Sequence, residues 1–153
     1  MIKEISGNLV ALAKDAVFDI VIFGIDCQHK NLTKLAKHFP ELLTRIKSGK
    51  VGDVYNLGEY IFHNYKNERY RVYAIYIQYG INCPEYAAIG LGLRGLAASL
   101  TGNEEIGMQK LGWKEGLDWD AVKKLIKIEL EDFDVTIVEE KIIEYKLNIV
   151  DKL

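Results

Sequence analysis

With 153 residues, 49% hydrophobic and 27% charged, the chain has the size and composition of one folded domain, which excludes a disordered or fibrous protein. Its 20 Lys and Arg stand against 22 Asp and Glu, and the net charge of −2 supplies no basic field for a nucleic-acid backbone. Nucleic acid is therefore not an expected partner.

The N-terminal stretch MIKEISGNLVALAKDAVFDIVIFG is interrupted by Lys3, Glu4, Lys14, Asp15 and Asp19. It offers neither a signal-peptide core nor a membrane span, so a cytoplasmic protein with no membrane partner is expected. Cys27 and Cys83 lie far apart, with no CxxC spacing and no Cys/His cluster. They read as free thiols in a reducing compartment, and neither a metal nor another cofactor is implied.

In chain order, Ile2 to Ser6 forms a short first strand. Phe18 to Gly24 (FDIVIFG) is a β-branched apolar run, the pattern of a strand buried on both faces, and it is expected to stop at the glycine. Leu32, Leu35, Ala36 and Phe39 then follow helical spacing. Pro40 interrupts before Leu42, Leu43 and Ile46 resume it, which predicts a kinked helix or two short ones.

Gly49, Gly52, Asp53, Asn56 and Gly58 mark a long loop. It leads into EYIFHNY and RYRVYAIYIQY, whose aromatic and β-branched content predicts a hairpin turning at Lys66-Asn67-Glu68, with its second arm inside the sheet. Tyr86, Ile89, Leu93, Leu96, Ala97 and Leu100 recur at helical intervals; Gly90, Gly92 and Gly95 each weaken that helix by about 1 kcal/mol unless a neighbour packs closely there.

EIGMQ is a brief strand, Asp118 caps a helix through Val122, Leu125, Ile126 and Leu130, and DVTIVE is a last strand. In the final stretch Ile143, Tyr145, Leu147 and Ile149 alternate as in a strand, whereas Ile142, Ile143, Lys146 and Val150 suit a helix. Strands and helices otherwise alternate around one antiparallel hairpin, so the expected fold is a mixed sheet between helical layers.

Ligands of open α/β sheets collect at the carboxyl ends of the central strands. Those ends here are IDCQHKNLT after the first long strand, KLGWKEGLDWD after EIGMQ, and YIQYGINCPEY after the tyrosine-rich strand.

In these pieces, together with ISGNL, FDIVIFGIDC, the helix-closing FPE, KVGDVYNLGEY, YAIYIQY, IGMQKLGWKEGLDWDAVKKLI and DVTIVE, the chain resembles the macro domains. The pieces run in family order over residues 2 to 139. Within the family they look like the small stand-alone ADP-ribose 1''-phosphate phosphatases and ADP-ribosyl hydrolases. The resemblance implies a macro-like three-layer α/β/α sandwich with a mixed central sheet over residues 1–139. Residues 140–153 then form a C-terminal extension packing on the domain or on a partner, including a second copy of the chain. The implied ligand is a nucleotide of the ADP-ribose type, and the abundance of compact stand-alone members in phages implies a phage-encoded protein.

The resemblance places Asn8, Gly24, Ile25, Asp26, Cys27, Gln78, Tyr79, Gly112, Trp113, Lys114 and Gly116 at the ligand. Several depart from the family pattern. Asn8 stands where an aspartate recognises adenine, and the first phosphate loop has no glycine between Gly24 and Gly49. The second loop appears one residue shorter and carries Trp113 and Lys114 in place of small residues, while Gly112 and Gly116 remain. Gln78 occupies the position of a lysine nucleophile and has no amine with which to form its adduct.

Asp26 and Glu115 are the catalytic candidates, as general base and acid across the cleft. Against that, Asp26 also suits a turn cap and Glu115 a solvated loop position. His29 and Lys30 suit either a phosphate or a solvated edge, and Cys27 suits a packed thiol better than a nucleophile. Trp113 either fills the vacated phosphate site or stacks on a ligand. Three functions stay open: a reader or sponge of ADP-ribose-type nucleotides without catalysis or with weak catalysis, a hydrolase of ADP-ribose derivatives, and a pocket-filled scaffold for protein contacts.

Overall fold

The computed structural model describes residues 1–140. Six strands, β1 (Ile2–Ser6), β2 (Ile20–Asp26), β3 (Tyr60–Tyr65), β4 (Tyr70–Gln78), β5 (Glu105–Gln109) and β6 (Asp134–Glu139), form one sheet in the order β1-β6-β5-β2-β4-β3. Every neighbouring pair is parallel except β3 and β4, the hairpin read from the sequence. Its turn places Lys66, Asn67 and Glu68 all at positive φ.

The helices are α1 (Leu9–Lys14), α2 (Thr33–His38), α3 (Pro40–Lys47), α4 (Tyr86–Ala98) and α5 (Trp119–Glu129). One sheet face, with Val21, Phe23 and Ile25 of β2, packs against Val10 and Ala13 of α1, Leu35 of α2 and Leu42 and Ile46 of α3. The other face, with Ile20 and Ile22, packs against Ile89, Leu93 and Leu96 of α4 and Val122 and Ile126 of α5. A β2 buried on both faces explains its unbroken apolar run, and the result is the expected α/β/α sandwich with a mixed sheet.

Two local departures have physical reasons. Helix α1 was not expected; Asn8 caps it, its side-chain oxygen accepting the Ala11 N–H at 3.0 Å. Strand β2 passes through Gly24 and ends at Asp26; a Cβ at residue 24 would lie 2.7 Å from Ile77 Cδ1, which is why glycine stands there. That glycine serves close packing, not strand termination. The same holds in α4, where a Cβ on Gly92 would lie 2.3 Å from Ile75 Cγ2. Pro40 takes the first-turn position of α3, so of the two expected forms the segment adopts two short helices.

No described helix is long and apolar enough to cross a membrane. The expectations for the extension from residue 141 onward lie outside the described residues.

Candidate functional site

The chain leaves β2 toward β3 and β4 on one side, whereas β5 and β6 lie on the other. The boundary between β2 and β5 is therefore the switch point of the sheet, where a crevice opens at the carboxyl ends of the strands. The β2/β5 ladder runs from Ile20↔Ile106 to Ile22↔Met108 and stops there. Past that point the Gly24 N–H donates to the Gln109 side-chain oxygen at 2.9 Å, a side chain bridging strands that have parted.

Above this bridge lies a cleft of about 170 Å³. Gly24, Gln109 and Leu111 form its floor, Asn31, Lys34 and Leu35 one wall, Gly112 to Glu115 a second, and Val138 to Glu140 a third, with Leu9 beside them.

The second loop is folded by its glycines. Gly112 and Gly116 adopt φ of 72° and 103°, and the Leu117 N–H donates to Gly112 O while the Gly116 N–H donates to Trp113 O. The Lys114 and Glu115 amides make no hydrogen bond among the described residues. Asp118 accepts the Asp120 N–H as the cap of α5, as expected, and its own N–H donates to the Tyr86 hydroxyl.

Trp113 lines the cleft and remains 38% exposed, so it is a rim residue and leaves the recess open. The Lys110 ammonium lies 4.2 Å from its ring centre and 5.3 Å from that of Trp119, a cation held against two aromatic faces.

The first loop is closed on itself. Asp26 is fully buried, and its carboxylate accepts the Lys30 N–H on both oxygens, at 2.9 and 3.1 Å, and the Asn31 N–H at 2.9 Å. It acts as the turn cap. The Cys27 N–H donates to Gln78 O, the Gln28 N–H to Tyr79 O and the His29 N–H to Asp26 O. Successive amides of this loop thus already have acceptors within the protein.

Of the residues placed at the ligand from the sequence, Gly24, Gly112, Trp113, Lys114 and Glu115 meet around the cleft. The others do not line it. Asn8 caps α1, Ile25 is core, and Gln78 is buried with its side-chain oxygen accepting the Cys83 N–H. The Tyr79 hydroxyl donates to Gly52 O, and the Gly52 N–H donates to Cys27 O, which ties the long loop before β3 to the first loop. Gly116 serves the turn. Cys27 is buried and its thiol is pushed up to about 11, first by burial and then by the Asp26 charge, which suits packing and not attack.

Asp26 and Glu115 are consequently not set across the cleft as two accessible carboxylates. His29 sits at φ 56° with Nε2 3.4 Å from the Tyr76 hydroxyl and Nδ1 buried without a partner among the described residues. No group of three His, Cys, Asp or Glu among the described residues is arranged to hold a metal ion.

The sequence reading missed Gln109, Lys110, Lys34, Glu139 and Glu140. The link lies in the sheet: Gln109 pairs with Val138 in the β5/β6 ladder, so Lys110 and Glu139 are the next residues of two adjacent strands, a proximity that no local sequence pattern carries.

No protein-family model and no curated protein matches the chain. Among solved structures, it aligns with a macrodomain protein from Streptomyces coelicolor at a TM-score of 0.68 and 18% identity. It also aligns with a protein from Bacteroides thetaiotaomicron at 0.67 and 21%. Each alignment covers 92% of this chain and 100% of the other. The chain has the macrodomain fold.

Proposed function

We propose that the protein binds a nucleotide of the ADP-ribose type without turning it over, as a reader or a sponge. The observation that carries this reading is the cleft at the β2/β5 switch point, lined by Lys34, Lys110, Lys114 and Glu115, the last two with amides that make no hydrogen bond among the described residues. Amides and cations in a recess at strand ends suit a phosphate.

At about 170 Å³ the recess is below the roughly 300–1,000 Å³ of sites that enclose a whole drug-sized ligand. It takes a phosphate and part of a ribose, with the rest of the nucleotide lying over the rim beside Leu9 and Trp113. The absence of turnover follows from Asp26, whose carboxylate is buried and already held by backbone amides, so that it does not serve as the base opposite Glu115.

Calorimetric titration with ADP-ribose, ADP-ribose 1''-phosphate and a cyclic ADP-ribose isomer, followed by chromatography for breakdown, tests this. Micromolar or tighter binding with the ligands recovered intact is expected; breakdown would replace the reading with a hydrolase. A second reading, a scaffold for protein contacts, is favoured by the internal engagement of the first-loop amides. Absence of heat with all three ligands would select it.

A further inference from the structure

Three lysines, Lys34, Lys110 and Lys114, and three glutamates, Glu115, Glu139 and Glu140, line the cleft. Two cations are already paired. Lys34 Nζ lies 2.7 Å from a Glu140 oxygen, and Lys110 Nζ lies 3.5 Å from a Glu139 oxygen. Both carboxylates come from the end of β6, and the Lys110–Glu139 pair continues the β5/β6 register by one residue, so the sheet itself presents it. Lys110 is the sheltered member, with its side chain only 16% exposed.

An incoming anion at these two cations competes with a carboxylate for each of them. The competitor is tethered, so its effective concentration is on the order of millimolar or higher whatever the solution contains. A monoanion exchanged for a carboxylate gains little. An anion bearing two or more charges interacts with both ammonium groups together, and in a recess that attraction is weakly screened.

We propose that Glu139 and Glu140 are the cleft's own anions and set its charge selectivity: a diphosphate or a phosphomonoester dianion displaces them from Lys110 and Lys34, and a monoanion does not. The ligand class rests on the nucleotide reading above; the charge gate rests on the ion pairs alone.

The gate is tested first without nucleotide. In a Trp119→Phe background Trp113 is the only tryptophan, since the chain has two. Iodide, a monoanionic quencher, is compared with neutral acrylamide at low ionic strength. Glu139→Gln with Glu140→Gln should raise iodide quenching relative to acrylamide by at least about twofold, because the Lys110 ammonium then draws iodide to the indole beside it; about 0.5 M salt should abolish the difference. Inorganic pyrophosphate should bind this variant about tenfold more tightly than the parent.

An unchanged iodide-to-acrylamide ratio in a variant with the parent's urea midpoint overturns the proposal, and so does pyrophosphate affinity that does not rise. If the double variant fails to fold, Glu139→Gln alone, at a side chain 41% exposed, carries the same measurement. A raised ratio combined with no ADP-ribose binding upholds the charge gate and removes the nucleotide reading.

Discussion

The side-chain oxygen of Gln109 and the backbone N–H of Gly24 meet at 2.9 Å just beyond the last ladder pair of β2 and β5, Ile22 and Met108. A side chain there takes over from the main chain, and the strands separate enough to leave a recess. Gln109→Leu keeps the volume and removes the acceptor. The expected loss is about 1–2 kcal/mol in urea unfolding, with faster hydrogen exchange at the Gly24 amide than at Ile22. Unchanged exchange at Gly24 would mean that the bond contributes nothing to the floor of the cleft.

Asp26 holds the first loop through the Lys30 and Asn31 amides. Asp26→Ala strands both donors and should destabilise by about 3 kcal/mol, while Asp26→Asn, which keeps an oxygen, should lose less. Urea midpoints of the two variants check this. A catalytic role would show differently, as turnover lost in Asp26→Asn with stability retained.

Glu104 provides an acid-sensitive contact. Burial disfavours its charge, but the N–H groups of Thr101, Gly102 and Asn103 and the Thr101 hydroxyl outweigh that and hold its carboxyl at about 2, below the ordinary 4.5. With the folded value depressed, the stabilisation is complete above the unfolded value and is lost as pH falls toward 2. Parent and Glu104→Gln should therefore differ in stability at pH 7, and the gap should narrow from about pH 5 downward. A gap that is constant between pH 7 and 3 would contradict this account.

Cys27 and Cys83 should react unequally. Cys83 is exposed, whereas the buried Cys27 thiol is pushed up to about 11. A disulfide-exchange reagent at pH 8 should titrate one thiol in the native protein and two in denaturant, and Cys83→Ser should abolish the native reaction.

The strands were legible because the apolar runs at β2, β4 and β6 are buried on both faces, and burial on both faces leaves a continuous signature. Helix α1 was not. It has only six residues, and its marker is Asn8, which the resemblance placed at the ligand and which the structure shows capping the helix. The end of β2 was misplaced for a tertiary reason, since what Gly24 accommodates is Ile77, a residue far along the chain.

The site shows the same division. That Asp26 caps its own turn is a local matter, four and five residues on, and the sequence offered it as an alternative. That the Gly24, Cys27 and Gln28 amides are engaged depends on Gln109, Gln78 and Tyr79, which no local pattern connects to them. The paired charges Lys110 and Glu139 become visible only once β5 and β6 are known to be neighbours.

Among the described residues, strand β1 lies at the edge of the sheet and pairs only with β6, with Ile2 beside Val135. During synthesis the first strand thus waits for nearly the last described one. The third wall of the recess, Val138 to Glu140, arrives with that same segment. A nascent chain still short of β6 lacks that third wall, so the recess is completed only at the stage when β6 pairs. Loop-closure entropy over so long a separation makes that stage slow relative to the hairpin of β3 and β4.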